Sequence, residues 1–83
     1  MPDVTSVMGQ DVAFDDFSAL RVPYQLTLSE HDAQYHLSVD SSGRFLWLPK
    51  PLSRIRLAIA INTLMLGAWI AKGKVGSKPD MVQ

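Results

Sequence analysis

The chain has 83 residues, no cysteine and a formal net charge of zero. This length provides one domain at most, and the absence of cysteine excludes disulfides, so a partner, a metal or a membrane is expected to support the core. The charges are unevenly placed. Residues 1–50 carry seven acidic and three basic side chains (net −4), and residues 51–83 carry one acidic and five basic (net +4). An overall neutral chain argues against binding of nucleic acid.

Residues 1–21 are predicted to be an irregular acidic segment that contains one short helix. Asp11 or Asp15 suits the N-cap of that helix, because a carboxylate can accept a free backbone N–H there. The first twenty residues of the chain lack a basic start and an apolar run, so no cleavable signal peptide is expected. The apolar side chains at near-helical spacing are Phe14, Phe17 and Leu20.

Residues 22–48 predict a three-stranded antiparallel meander. Apolar and polar side chains alternate in residues 22–28 and 34–39, and residues 44–48 form a third short run. Alternation with a period of two indicates strands with one covered face. Because three strands cannot bury that face alone, we expect it to dock on a partner. The predicted docking face consists of Tyr24, Leu26, Leu28, Tyr35, Leu37 and Val39.

A proline-rich linker is predicted at residues 49–53, because Pro49 and Pro51 remove backbone donors. Ser53 suits the N-cap of a following helix. That helix is expected over residues 54–74, and residues 75–83 are expected to form a basic, flexible tail.

The helix raises the main question of the sequence, because residues 57–71 carry no charge. Its apolar side chains surround the axis, so a sheet on one side leaves most of the helix uncovered. Fifteen residues extend only about 22 Å, short of a hydrocarbon core of about 30 Å. Flanking side chains that reach the interfaces relieve this shortage. The predicted interface anchors are Trp47, Arg54, Arg56, Trp69, Lys72 and Lys74.

A stripe of small and polar residues along the helix predicts close approach of a second helix. Small side chains allow such an approach in lipid, and an asparagine can donate a hydrogen bond across it. The predicted helix-packing residues are Ala60, Asn62, Thr63, Gly67 and Ala71. The predicted fold class is therefore an α+β membrane protein, in which a small three-stranded meander precedes one C-terminal transmembrane helix.

The sequence contains no strong catalytic or metal-binding motif. His31 and His36, together with Glu30 and Asp32, are candidate zinc ligands, but their spacing favours solvated turn residues. The adjacent Asp15 and Asp16 do not form an obvious carboxylate pair. No histidine or charged residue lies within the apolar run, so any cofactor or lipid held by a partner is expected to be contacted by packing alone.

These features predict a non-catalytic, single-pass accessory or assembly subunit of a larger integral membrane complex. Its expected partners are integral membrane subunits and lipid, and the favoured setting is a respiratory or photosynthetic complex. Residues 1–50 are expected on the cytoplasmic side, although the positive charges on the two sides of the helix are nearly balanced. The alternative is a soluble β-β-β-α module of a phage particle or homo-oligomer, with its helix buried between subunits.

Overall fold

A computed structural model of the chain describes residues 12–40 and 43–83. The predicted order of a three-stranded antiparallel sheet followed by a C-terminal helix is confirmed. The elements in chain order are α1 (Ala13–Ser18), β1 (Leu26–His31), β2 (Gln34–Val39), β3 (Arg44–Pro49) and α2 (Arg54–Ala71). The strands lie in the sheet in the order β1-β2-β3, so β2 is the central strand.

The first hairpin is tighter than the sequence predicts. β1 continues through residues 29–31, beyond the alternating run that ends at residue 28, and only two residues separate it from β2. Asp32 adopts a positive φ of 54° in this turn, a conformation that aspartate tolerates better than most residues. Leu28 therefore pairs with Leu37, and Leu37 pairs with Leu46 on the other side. This register places the predicted apolar positions on one face.

The apolar face of the sheet is covered by the chain's own helices, which corrects the expectation that a partner docks there. Four of the six predicted docking residues are buried in the core, and Tyr24 and Leu26 are partly buried against it. A linker that turns the chain back after β3 allows α2 to pack on β2 and β3. The four buried residues are Leu28, Tyr35, Leu37 and Val39.

One side of α2 supplies the other half of the core. Its side chains interlock with those of the inner sheet face, so α2 lies alongside the sheet as a second layer. Leu52, in the predicted linker, is also buried and fixes the point where the chain enters the helix. The buried residues of α2 are Leu57, Ala60, Ile61, Leu64, Met65 and Ala68.

The short helix α1 closes one end of the core. Ala13 is fully buried, and the Phe14 ring packs edge-on against the Tyr35 ring with 5.4 Å between their centroids. The predicted capping by Asp15 is wrong, because the N-cap is Val12, which makes no side-chain hydrogen bond, and Asp15 lies within the helix. Asp11, the other predicted cap, lies outside the described residues, as do residues 1–10.

The C-terminal residues fold back along α2, in contrast to the flexible tail expected from the sequence. α2 ends at Ala71, three residues earlier than predicted, and Gly73 follows with a φ of 81°. The backbone carbonyl of Gly76 accepts a hydrogen bond from the Trp69 indole at 3.4 Å. Further along, Val82 packs against the core. The tail therefore runs antiparallel to the helix that precedes it.

Ser53 caps α2 as predicted, since its hydroxyl accepts the backbone N–H of Arg56 at 3.2 Å. We expect Ser53→Ala to lower the free energy of unfolding by about 1 kcal/mol, because one N–H of the first turn loses its partner. Urea titration followed by circular dichroism measures this change. Ser77→Ala, at an exposed serine of the tail, is the matched control and is expected to have little effect. Equal effects of both substitutions would contradict the capping role.

Candidate interaction surfaces

The side of α2 that faces away from the sheet exposes a row of large apolar side chains. Ile55, Ile59 and Ile70 expose 73%, 61% and 56% of their surface. At 100° per residue, all three project within a 60° arc opposite the buried side chains. We call these three residues the α2 ridge. Single exposed apolar residues are common on soluble proteins, but an aligned row on one helix indicates a contact surface.

Cations lie near both ends of the α2 ridge. Arg54 and Arg56 flank Ile55, and Lys74 follows the end of the helix; all three are exposed. Within the described residues, no acidic side chain forms a salt bridge with any of them. Their charge therefore remains available to a ligand or a surface.

Lys72, a predicted interface anchor, instead ties α2 to the sheet. Its Nζ atom lies 3.8 Å from Oδ2 of Asp40 and 4.8 Å from the centroid of the Tyr24 ring. The ammonium group thus lies against a carboxylate and an aromatic face at the end of β2. Lys72 consequently differs from Lys74, which makes no such contact among the described residues.

The predicted helix-packing stripe divides into separate environments. Ala60 is buried against the sheet, and Gly67 lies near the Arg44 guanidinium, which is 3.5 Å from the place a Cβ atom would occupy. Thr63 is exposed and donates its hydroxyl hydrogen to the Ile59 carbonyl at 2.8 Å, and Ala71 is exposed at the helix end. Beside β3 the stripe borders an open, mainly apolar cleft of about 270 Å³.

Asn62 holds the C-terminal residues and does not present its amide to a second helix. Its side-chain nitrogen donates to the Val82 carbonyl at 3.0 Å, and its side-chain oxygen accepts the Val82 N–H at 2.7 Å. A side-chain amide paired in this way satisfies both backbone polar groups of one residue. The polar residue inside the apolar helix therefore has a partner within the same chain.

A cluster of four rings lies on the outer face of the sheet, away from α2. The His36 ring centroid lies 4.8 Å from that of Phe45 and 4.7 Å from that of Trp47. His31 completes the cluster at 5.4 Å from Trp47. Phe45 and Trp47 still expose 49% and 47% of their surface. We call these four residues the outer aromatic cluster.

The outer aromatic cluster was missed by reasoning from the sequence alone, which assigned Trp47 to a membrane interface. The signal was present in the alternation, because His36 pairs with Trp47 across β2 and β3 and both point outward. Cross-strand aromatic pairs stabilise a sheet, so part of the cluster's role is structural. Its exposed remainder is a second apolar surface, on the opposite side of the molecule from the α2 ridge.

The candidate metal ligands do not converge. Glu30 points to the inner face, where it pairs with Lys50, whose Nζ atom lies 5.0 Å from the Tyr35 ring centroid. The ring centroids of His31 and His36 are 6.2 Å apart on the outer face. No group of three or more potential ligands is found among residues 12–40 and 43–83.

Asp16 lies where α1, α2 and the tail meet. Its Oδ2 atom is buried and has no hydrogen-bond partner in the described part of the chain. It lines a cleft together with Arg54 and Val82. The side chain of the adjacent Asp15 lies outside the described part of the chain.

Length and composition make α2 a candidate membrane span, a property that core helices of soluble proteins share. A third of its residues are buried within the chain. What distinguishes α2 from an ordinary core helix is the α2 ridge, which the chain itself leaves uncovered. Comparisons with protein-family models, with curated proteins and with solved structures find no match, so the geometry of these surfaces is the basis for a functional proposal.

Proposed function

We propose that this protein is a non-catalytic accessory subunit of a larger membrane complex, held at the membrane through α2. The observation that carries the proposal is the α2 ridge, in which Ile55 and Ile59 are the two most exposed large apolar side chains of the helix. A chain that packs twelve apolar residues into one core has no folding reason to leave this row in water. A bilayer or an integral subunit covers it.

The packed fold favours association with the membrane over complete crossing. If α2 were surrounded by lipid, its own apolar side chains would remain shielded from water, but the inner face of the sheet would lose its cover. Exposing four buried side chains of that face costs roughly 6–12 kcal/mol at about 1.5–3 kcal/mol each. This cost is comparable to the whole stability of a small domain. A spanning arrangement therefore requires a partner that takes the place of α2 on the sheet.

The outer aromatic cluster is the surface that we propose for protein partners. It lies on the opposite side of the molecule, and its exposed tryptophan and phenylalanine are residue types enriched at the centres of interfaces. The partners are integral subunits, with a respiratory or photosynthetic complex as the favoured setting, and residues 1–50 lie on the cytoplasmic side. Any cofactor or lipid held by such a partner is contacted by packing.

Purification from native membranes tests the proposal. An N-terminally tagged protein is expected in the membrane fraction together with integral subunits, and the double variant Phe45→Ser/Trp47→Ser is expected to lose those subunits while it remains folded. Protease treatment of sealed vesicles reports the side on which residues 1–50 lie. A protein that is recovered entirely in the soluble fraction, without membrane partners, would refute the assignment.

A soluble homo-oligomer is the second candidate. It is favoured by the packing of α2 on its own sheet and by the return of the tail along the helix, since both contacts are made within the chain itself. In that case the α2 ridge is buried against another copy. Analytical ultracentrifugation separates the candidates: a detergent-free, monodisperse oligomer that Ile59→Ser dissociates favours this second function.

A further inference from the structure

We infer that the α2 ridge docks on an anionic phospholipid surface with the helix axis in the plane of the membrane. This inference rests on the proposed function and specifies its membrane contact. A helix that packs one side on a sheet can insert only the opposite side, so the depth of insertion is that of side chains and not of the whole helix. Such interfacial helices place their apolar face about 5–10 Å into the boundary between headgroups and acyl chains.

The shape of the ridge suits a flat, extended surface. Ile55 and Ile70 lie fifteen residues apart, so the ridge extends for about 22 Å along the axis. Its three side chains form a row on the side of α2 opposite the sheet, and Ile59 also borders the open cleft beside β3. A planar boundary can therefore contact all three isoleucines at once.

The charge around the α2 ridge favours contact with lipid over contact with a second copy of the chain. Residues 51–83, which contain α2 and the tail, carry a net charge of +4. In a dimer formed through the ridge, the arginines at one helix end would meet either the same arginines or the lysines at the other end. An anionic surface instead attracts the cations at both ends, and each cation near such a surface strengthens binding about fivefold.

Two acidic residues of the described chain are paired with cations of the same chain, which reduces their repulsion of an anionic surface. Asp40 pairs with Lys72, and Glu30 pairs with Lys50 beneath the sheet. Asp32 lies in the turn between β1 and β2. Asp80 is the one acidic residue in the sequence after Lys50, and it is outnumbered there by five cations.

The two tryptophans report the orientation. Trp69 lies in α2, projects about 40° from the edge of the ridge and is partly buried with its indole hydrogen-bonded to Gly76, whereas Trp47 belongs to the outer aromatic cluster on the opposite side. In-plane docking brings Trp69 to the lipid and keeps Trp47 in water. A spanning helix with both tryptophans at the interfaces, as the sequence alone suggests, would bring both to lipid.

Vesicle binding tests the inference with the full-length chain. Vesicles of phosphatidylcholine alone are compared with vesicles that also contain phosphatidylglycerol, at low and at high salt. We expect binding to the anionic vesicles to be stronger and to weaken with salt. Ile59→Ser is expected to weaken it about tenfold or more, since one isoleucine leaves the apolar boundary. Phe45→Ser, at an exposed apolar residue on the outer sheet face, is the matched control and is expected to bind as the wild type does.

Single-tryptophan variants complete the test. With Trp47→Phe, fluorescence from Trp69 is expected to shift to the blue and to become shielded from acrylamide on anionic vesicles. With Trp69→Phe, fluorescence from Trp47 is expected to stay unchanged. Arg56→Gln with Lys74→Gln is expected to reduce binding by about twentyfold or more, from about fivefold for each cation.

Three results would overturn the inference: no binding to anionic vesicles, an equal loss with Phe45→Ser and Ile59→Ser, or shielding of both tryptophans. A wild-type dimer that ignores vesicles and is dissociated by Ile59→Ser would assign the ridge to a second copy. The proposed function is tested independently of this lipid contact. If integral subunits still co-purify from native membranes while lipid vesicles are not bound, the accessory role stands and the lipid contact fails.

Discussion

Ile61→Ala is expected to lower the free energy of unfolding by about 2–5 kcal/mol, whereas Ile59→Ala is expected to change it by less than about 1 kcal/mol. The two isoleucines lie two residues apart in α2, but Ile61 is fully buried against the sheet and Ile59 belongs to the exposed α2 ridge. Truncation of Ile61 leaves a cavity in a small core that has little stability to spare. Urea titration of the purified protein measures both changes.

The same pair of substitutions separates the packed fold from a spanning helix. In lipid both isoleucines would face similar surroundings, and neither substitution would alter the sheet. We therefore expect a difference only if α2 packs as described. Equal changes for Ile59→Ala and Ile61→Ala, measured in detergent-free buffer, would contradict the two-layer arrangement.

Asn62→Leu is expected to release the C-terminal residues from α2. The substitution removes both hydrogen bonds to Val82, each of which is worth about 0.5–1.5 kcal/mol. Amide exchange at Val82 should accelerate about tenfold or more, and carboxypeptidase should digest the tail faster. Hydrogen exchange followed by mass spectrometry of C-terminal peptides measures the first effect.

Thr63→Ala is the control for this substitution, because its hydroxyl bonds only within the helix, to the Ile59 carbonyl. We expect exchange at Val82 to be unchanged in that variant. If Asn62→Leu left the tail protected and instead altered an association between chains, Asn62 would act between helices, as the sequence alone suggests.

The meander was predictable from the sequence because alternation with a period of two has one simple explanation. The register places Leu28, Leu37 and Leu46 side by side across the three strands, as the pattern requires. The cap at Ser53 was equally readable, since serine before an apolar helix satisfies a free backbone N–H. These are local features, in which the residue and its partner lie close in the sequence.

The contacts of α2 were not predictable in the same way. The helix has no polar face, so its composition does not reveal which side meets the sheet, and every side appeared to need cover. The partners of Lys72 and Asn62 lie 32 and 20 residues away in the sequence. Their charge and polarity therefore suggested an interface with lipid or a second helix. Only the folded arrangement assigns them to Asp40 and Val82.

The return of the tail has a practical consequence for any protein fused to this chain. Val82 and Gln83 line the cleft beside Arg54 and Ala58, near the start of α2, although the helix before them ends on the far side of the molecule. A fluorescent protein or affinity label joined after Gln83 would emerge beside the first turns of α2 and shield Ile55. A label at the N-terminus leaves the tail unchanged, so localisation and pull-down results obtained with labels at the two ends are expected to differ.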